Sequence, residues 1–318
     1  MQFVRILLTN IASVTSIGLL KTIKKSKLHD MFVVGTEAQP FGMNSGSLLV
    51  DKYVESPIVE SNEYISFIID LCSKEEIDIL FPVIDAEVYQ LSKISSSIAT
   101  TVITAETNIL GLFRDKLLAS IELSLNTNIL IPRIITYNRN LPDKIIIRNR
   151  DGIGSKGIKI FPNSEICPDI FFRKDGFLQE YIEGDEYTVD ILANKFGDLC
   201  LAIPRKRLQI KNGVSTKTQI TQHNDIINSC KLIYRNYKIP GLSNVQFIAS
   251  KKNHYFIELN PRFAGMGIAG VMASYNYIDD YISHFYFGKE LTSFDISMKQ
   301  VKWDTIVCRY YEETVMLP

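Results

Sequence analysis

Residues 244–262 constrain this chain most. Asn244-Val245-Gln246-Phe247-Ile248 and His254-Tyr255-Phe256-Ile257-Glu258-Leu259 alternate polar and apolar side chains on either side of Lys251-Lys252-Asn253, which predicts an antiparallel hairpin. Every second side chain of a strand shares a face, so Gln246 points with Asn244 and Ile248, and Glu258 projects with Asn260. A carboxylate beside an amide oxygen makes a hard oxygen site suited to Mg2+, which takes few protein ligands and leaves room for phosphate oxygens. Pro261 stops the strand, and Arg262 follows with a fork of donors suited to the phosphoryl oxygens that such a metal bridges.

The rest of the chain suits a globular protein of two or three subdomains: 318 residues, 46% hydrophobic and 22% charged. Lysine plus arginine balance aspartate plus glutamate at 35 each, so no net field draws the chain to nucleic acid or to an anionic membrane. The five cysteines are odd in number, scattered and free of Cys-x-x-Cys pairs, which argues against a disulfide framework or zinc site and fits a reducing cytoplasm. Phe3 to Leu8 is too short for a spanning helix or the core of a secretory signal and reads as a buried strand.

The first hundred residues alternate strand and helix. Strands are predicted at Val4–Leu8, Met31–Gly35 and Ile77–Pro82, and helices at Ser16–Lys25 and Ser61–Lys74, the pattern of a parallel sheet with crossover helices. After the first strand stands Thr9-Asn10-Ile11-Ala12-Ser13-Val14 rather than Gly-x-Gly-x-x-Gly, so a nicotinamide cofactor is unsupported. Asp85 and Glu87 follow a strand's carboxyl end, where open sheets bind ligands. The usual exposure of such residues favours solvated loop carboxylates over contact with an acceptor substrate.

Further on, Arg114-Asp115-Lys116 opens a helix that Asp115 is placed to cap. Between two β-branched segments, 144–149 and 158–161, lies a turn with three glycines, Ser155 and Lys156, a composition that lets backbone amides approach an anion closely. No Gly-Lys-Ser/Thr precedes a helix, so this is not a Walker loop. Leu178–Ile182 and Tyr187–Leu192 are predicted strands around a bend at Gly184. Arg205, Lys206, Arg207 and Lys211 lie ahead of the turn at Gly213 without interleaved aromatics, which favours a phosphate clamp over a nucleic-acid surface. Residues 225–237 have helical spacing suited to core packing. Residues 265–270 are expected to begin a helix whose amide end can be offered to an anion, and Val301–Tyr310 is expected to supply one more strand.

Glu258-Leu259-Asn260-Pro261-Arg262, preceded by Ser243-Asn244-Val245-Gln246-Phe247, resembles the metal-binding strands of the ATP-grasp superfamily, most closely the synthetase domains of carbamoyl phosphate synthetase large subunits and their single-domain relatives. With the glycine-bearing turn and Glu180-Tyr181-Ile182, the resemblance spans about residues 3–290. It implies an α/β and α+β architecture, an ATP-grasp fold behind a Rossmann-like domain: residues 1–112, then a small lobe at 113–182 and a large lobe at 183–318. By the same resemblance, Lys116, Arg148 and the loop residues Gly154, Ser155, Lys156 and Gly157 meet the nucleotide, with Arg148 at phosphate or adenine. Glu180, Tyr181 and Ile182 form the adenine hinge, and Glu186 holds the ribose. Glu258 and Asn260, with Gln246 as a weaker ligand, hold Mg2+, for which Mn2+ can substitute. Arg262 and Arg207 stabilise the moving phosphoryl group. The implied reaction activates a small-molecule carboxylate as an acyl phosphate and couples it to an amine, releasing ADP and phosphate. Alternatives are phosphorylation of carbamate or bicarbonate, weakened by the absence of a glutaminase or second synthetase half, and a non-catalytic ATP-binding regulator, kept open by glutamine at position 246. Arginine at 148, where many relatives carry lysine, keeps the charge. Oligomeric state is not fixed by the sequence, which is compatible with a homodimer.

Overall fold

The computed structural model describes residues 2–136, 140–152, 157–165, 176–310, 312–313 and 315. Three sheets organise them. The first is parallel and is built from β1 (Gln2–Leu8), β2 (His29–Glu37), β3 (Lys52–Glu55), β4 (Ile79–Phe81) and β5 (Thr101–Val102), in the order β3-β2-β1-β4-β5. Its crossovers run through α1 (Val14–Ile23), α2 (Tyr64–Lys74) and α3 (Asp85–Ser92). β1 is apolar from Ile6 to Leu8 and at Val4 because both of its faces are covered, as parallel sheets require, and Arg5 between them reaches the Glu75 carbonyl at 2.6 Å. Val4, Ile6 and Leu8 face one core with α1, and Leu7 between them faces another with Tyr64, Ile68 and Leu71 of α2. The first of these cores continues into Leu201, Ile203, Tyr281 and Ile282 from the C-terminal half of the chain.

Helices α4 (Thr107–Arg114) and α5 (Lys116–Asn126) follow. As the sequence predicts, Asp115 caps α5, accepting from the amides of Leu117 and Leu118 at 3.1 Å. A small sheet comes next, made of β6 (Ile134–Ile135), β7 (Lys144–Asn149), β8 (Lys159–Pro162) and β9 (Gly176–Glu180) in the order β6-β9-β7-β8. Among the described residues its own core is Ile135, Ile145, Ile147 and Leu178 with flanking apolar residues.

The third sheet is antiparallel, β14-β13-β10-β11-β12-β15, from β10 (Asp185–Ala193), β11 (Leu199–Lys211), β12 (Val214–Ile220), β13 (Gly241–Ala249), β14 (His254–Asn260) and β15 (Ile306–Cys308). α6 (Asn224–Tyr237) buries Ile226, Cys230, Ile233 and Tyr234 against it, as its spacing predicts. Helices α7 (Ile268–Met272), α8 (Tyr277–Phe285) and α9 (Phe294–Lys299) complete the chain. The bend between β9 and β10 needs glycine, because a Cβ on Gly184 would stand 2.3 Å from the carbonyl oxygen of Ala249.

Three expectations are corrected in extent. The strand expected at 178–182 ends at Glu180, the last strand covers only Ile306–Cys308, and the helix after Arg262 starts at Ile268 and has five residues. A larger correction concerns Glu87. It is no solvated loop acid but a fully buried residue in the first turn of α3, accepting from Thr9 Oγ1 at 2.8 Å, from the Val83 amide at 3.2 Å and from the Tyr64 hydroxyl.

Burial pushes the Glu87 carboxyl up to about 7 despite those hydrogen bonds, from an ordinary 4.5. The folded state therefore holds a proton that the unfolded state releases, and stability falls as pH rises from about 4.5 to about 7. At 1.36 kcal/mol per unit the fall is on the order of 3 kcal/mol. Urea unfolding of the wild type and of Glu87→Gln at pH 5 and pH 8 is expected to show this drop in the wild type alone. An equal slope in both would remove Glu87 as its source.

Candidate active site

The hairpin predicted from the sequence forms as β13 and β14, with Asn244 opposite Asn260 and Gln246 opposite Glu258. A bulge between Gln246 and Phe247 shifts the register beyond that point. Glu258 Oε1 accepts from Gln246 Nε2 at 2.7 Å and from Asn260 Nδ2 at 3.1 Å. Its Oε2 lies 3.8 Å from Lys116 Nζ and 3.8 Å from Arg148 Nη2. Burial alone would raise the Glu258 carboxyl, but the charges of Lys116 and Arg148, the Asn260 hydrogen bond and the charge of Arg262 together hold it below the ordinary carboxylate range.

These side chains line one cavity of about 590 Å3, walled by β7 and the end of β9 on one side and by β10, β11, β13 and β14 on the other. Ile146, Ile158, Ile160 and Ile257 give part of it an apolar lining, and Glu180, Tyr181 and Ile182 lie along the same wall. Apolar walls with a few convergent polar groups are the usual makeup of a small-molecule site. The amide of Glu180 donates to the Arg133 carbonyl at 2.9 Å and that of Tyr181 to the Lys144 carbonyl at 3.1 Å, so neither amide is available to a bound base. The Glu180 carboxylate and the backbone of Ile182 are the remaining candidates.

Arg148 is buried, donating from Nη1 to Gln179 Oε1 at 3.2 Å and from Nη2 to the Ile257 carbonyl at 3.1 Å, with its guanidinium edge still on the cavity. Lys116 Nζ donates to the Gly152 carbonyl at 2.9 Å, tying the start of α5 to the glycine-bearing turn. Gly157 takes φ +78°, and a Cβ there would stand 2.5 Å from Asn149 Nδ2. Gly154, Ser155 and Lys156 lie outside the described residues.

Arg207 also lines the cavity, and all its nitrogens are engaged: Nε with Ser215 Oγ at 3.1 Å, Nη1 with Glu186 at 3.0 Å and Gln246 Oε1 at 3.2 Å, and Nη2 with the Gly213 carbonyl at 2.6 Å. Glu186 is thus an ion-pair partner as well as a cavity residue. Arg205, ranked below Arg207 by sequence, is 1% exposed and grips Asp190 through Nε at 2.6 Å and Nη2 at 2.7 Å. Lys206 turns away to Asp185 at 2.6 Å.

Arg262 donates from Nη2 to Asp85 Oδ2 at 2.7 Å, across 177 positions of sequence. Burial would lower the Arg262 guanidinium, and Asp85 more than reverses this. Sequence reasoning left Asp85 as a loop carboxylate, and it missed Gln179 and the Asp190–Arg205 pair altogether. Asp190 as a lone charge inside the apolar run 189–193, with Arg205 directly after the apolar run 199–204, was the available signal for that pair.

The donor set fits a hard divalent cation. As placed, the amide nitrogens of Gln246 and Asn260 both lie on Glu258 Oε1, where a cation would sit. Turning either amide by 180° brings its oxygen there instead, an orientation set by whatever neighbours it. The Gln246 turn gives up its bond from Arg207, and the Asn260 turn gives up its bond to Asn244 Oδ1. Among the described residues no group of three or more His, Cys, Asp or Glu side chains forms a metal site, and the carboxylate of this donor set is that of Glu258.

Two family descriptions match the chain. One, "ATP-grasp in the biosynthetic pathway with Ter operon", covers residues 172–301, and the other, "PylC-like, N-terminal domain", covers residues 7–105. Biotin carboxylase from Campylobacter jejuni, solved as a β,γ-ATP complex, superposes with a TM-score of 0.73 at 16% identity, over 96% of this chain and 75% of that one. N5-carboxyaminoimidazole synthetase from Staphylococcus aureus, solved with ADP, gives 0.70 at 13% identity over 92% and 80%. Pyruvate carboxylase from Komagataella pastoris is 22% identical over 138 residues, and the match spans 37% of this chain but only 12% of that protein. The parallel leading sheet, the small and large sheets enclosing a charged cavity, and these likenesses together show that the chain has the ATP-grasp fold, with residues 172–301 matching an ATP-grasp family.

Proposed function

We propose that the protein is an ADP-forming carbon–nitrogen ligase that activates a carboxylate as an acyl phosphate and couples it to an amine. The observation that carries this reading is the convergence of Glu258, Gln246, Asn260, Lys116, Arg148 and Arg262 on one cavity. Residues 113–182 and 183–318 act as the lobes on either side of the nucleotide, and residues 1–112 cover the acceptor side. Glu258 and Asn260, with Gln246, would hold Mg2+, which neutralises phosphate charge when bound.

Lys116 and Arg148 face the polyphosphate, and Glu180 with Ile182 holds the adenine edge. The acid's carboxylate oxygen attacks the γ-phosphorus while the bond to the ADP oxygen breaks, and Arg262 stabilises charge on the group in flight. The amine nitrogen then attacks the acyl carbon and inorganic phosphate leaves. No side-chain nucleophile is needed, because position and charge do the work.

The test is phosphate release across a panel of carboxylates, with hydroxylamine present to trap any acyl phosphate as a hydroxamate. ADP, phosphate and hydroxamate are expected, dependent on Mg2+ and on one class of acid. AMP and pyrophosphate instead would point to adenylation, and no hydroxamate with any acid would remove the ligase reading.

A further inference from the structure

We infer that Asp85 is the anchor for the incoming amine, and that the protein selects a cationic primary amine through it. This rests on the ligase reading above. Of the carboxylates on the cavity wall, Glu258 answers to Lys116 and Arg148, Glu186 to Arg207, and Asp151 to Arg114, while Glu180 is half-buried and is taken by the adenine in the reading above. Asp85 differs. Its Oδ2 takes Arg262 Nη2 at 2.7 Å, while its Oδ1 is buried and has no hydrogen-bond partner among the described residues. A buried carboxylate oxygen left unpaired is unfavourable, and unlike the equally unpaired Asp279 Oδ1, this one belongs to a residue on the cavity wall, where a ligand's donor would complete it.

The placement suits an acceptor. Asp85 begins α3, just beyond the carboxyl end of β4, on the N-terminal domain rather than on the lobes that carry Lys116, Arg148 and Glu258. Its tie to Arg262, two residues past Asn260, puts it beside the group expected to steady the phosphoryl transfer. An ammonium there gains the charge-assisted bond that Oδ1 lacks. It also shares the carboxylate with Arg262, so that docking of the amine and orientation of Arg262 are coupled through one side chain.

In the coupling step the nitrogen sheds two protons. One passes to Asp85 and on to solvent, and the other leaves on the phosphate. The C–N bond forms as the bond between the acyl carbon and the phosphate oxygen breaks, and that oxygen keeps the electron pair.

The experiment compares two nucleophiles with whichever acid the hydroxamate panel identifies. Hydroxylamine is uncharged near pH 7.5 and small, and the twenty common amino acids with putrescine serve as cationic amines. In Asp85→Asn, whose amide oxygen can still accept from Arg262, the ratio of amine ligation to hydroxamate formation is expected to fall tenfold or more. The loss should lie in KM for the amine, and Asp85→Glu should recover part of it. A drop of both activities in equal proportion would make Asp85 a support for Arg262 only and overturn the inference, as would an unchanged ratio. An acid that yields hydroxamate but is ligated to no cationic amine of the panel would also overturn it. A wild type that forms no hydroxamate would instead fail the ligase reading itself.

Discussion

Glu258→Ala is expected to abolish ATP turnover, by at least about a thousandfold, which corresponds to roughly 4 kcal/mol of transition-state stabilisation. The carboxylate is the one anionic donor on the β13–β14 ribbon that faces Gln246, Asn260, Lys116 and Arg148 together. Without it, two amides remain to hold any divalent cation, and neutral oxygens bind a hard cation far more weakly than a carboxylate does. Lys116 and Arg148 would keep their positive charge with no counter-charge at 3.8 Å, so affinity for the polyphosphate itself should persist or rise. Nucleotide titration with and without Mg2+, run beside phosphate release, separates the two effects. Turnover within tenfold of the wild type would remove Glu258 from the metal site.

The second large effect is on stability. Asp190→Ala strips the counter-charge from Arg205, which is 1% exposed and donates twice to that carboxylate. Breaking such a pair from one side leaves a buried charge and costs about 3–5 kcal/mol, a large part of the roughly 5–15 kcal/mol that holds a domain folded. Chemical unfolding should show it directly. The double replacement Asp190→Ala with Arg205→Met should recover much of the loss, since no charge then stays behind. If Asp190→Ala does not fold at all, Asp190→Asn, which retains an acceptor, is expected to be intermediate. A loss below about 1 kcal/mol for Asp190→Ala would show that Arg205 finds another partner or reaches solvent through the cavity.

Much of the fold was legible because its signals are local. The alternation in 244–247 and 257–260 is that of a strand, and Pro261 marks where it stops. The apolar run of β1 and the Asp115 cap are equally short-range. The candidate site was legible where several of its residues share one motif, as in Glu258, Asn260 and Arg262.

It was not legible where partners come from distant segments. Asp85 acquires its meaning only when α3 is laid against the end of β14, and nothing near position 85 announces Arg262. Glu87 misled for a related reason. Acids in the first turn of a helix are usually exposed, and its three hydrogen-bond partners come from residues 9, 64 and 83. Between Arg205 and Arg207, sequence reasoning chose the second. The structure shows Arg207 with every nitrogen engaged, and Arg205 with its Nη1 buried at the cavity wall and without a partner among the described residues. Strand alternation puts the two on one face without saying which is already occupied.

The odd and even positions of β1 bear on how such a protein can change its chemistry. Because Val4, Ile6 and Leu8 share one core with Leu201, Tyr281 and Ile282, and Phe81 of β4 packs on Tyr281 at 5.1 Å between ring centroids, the leading hundred residues are keyed into the body rather than hung from it. A chimera carrying the equivalent stretch of a relative would inherit a mismatched underside and lose cohesion before its new specificity could be read. Point changes around the mouth, at residues such as Ser13, Thr15 or Asp85, leave that keyed seam intact and are the open route to a different acceptor.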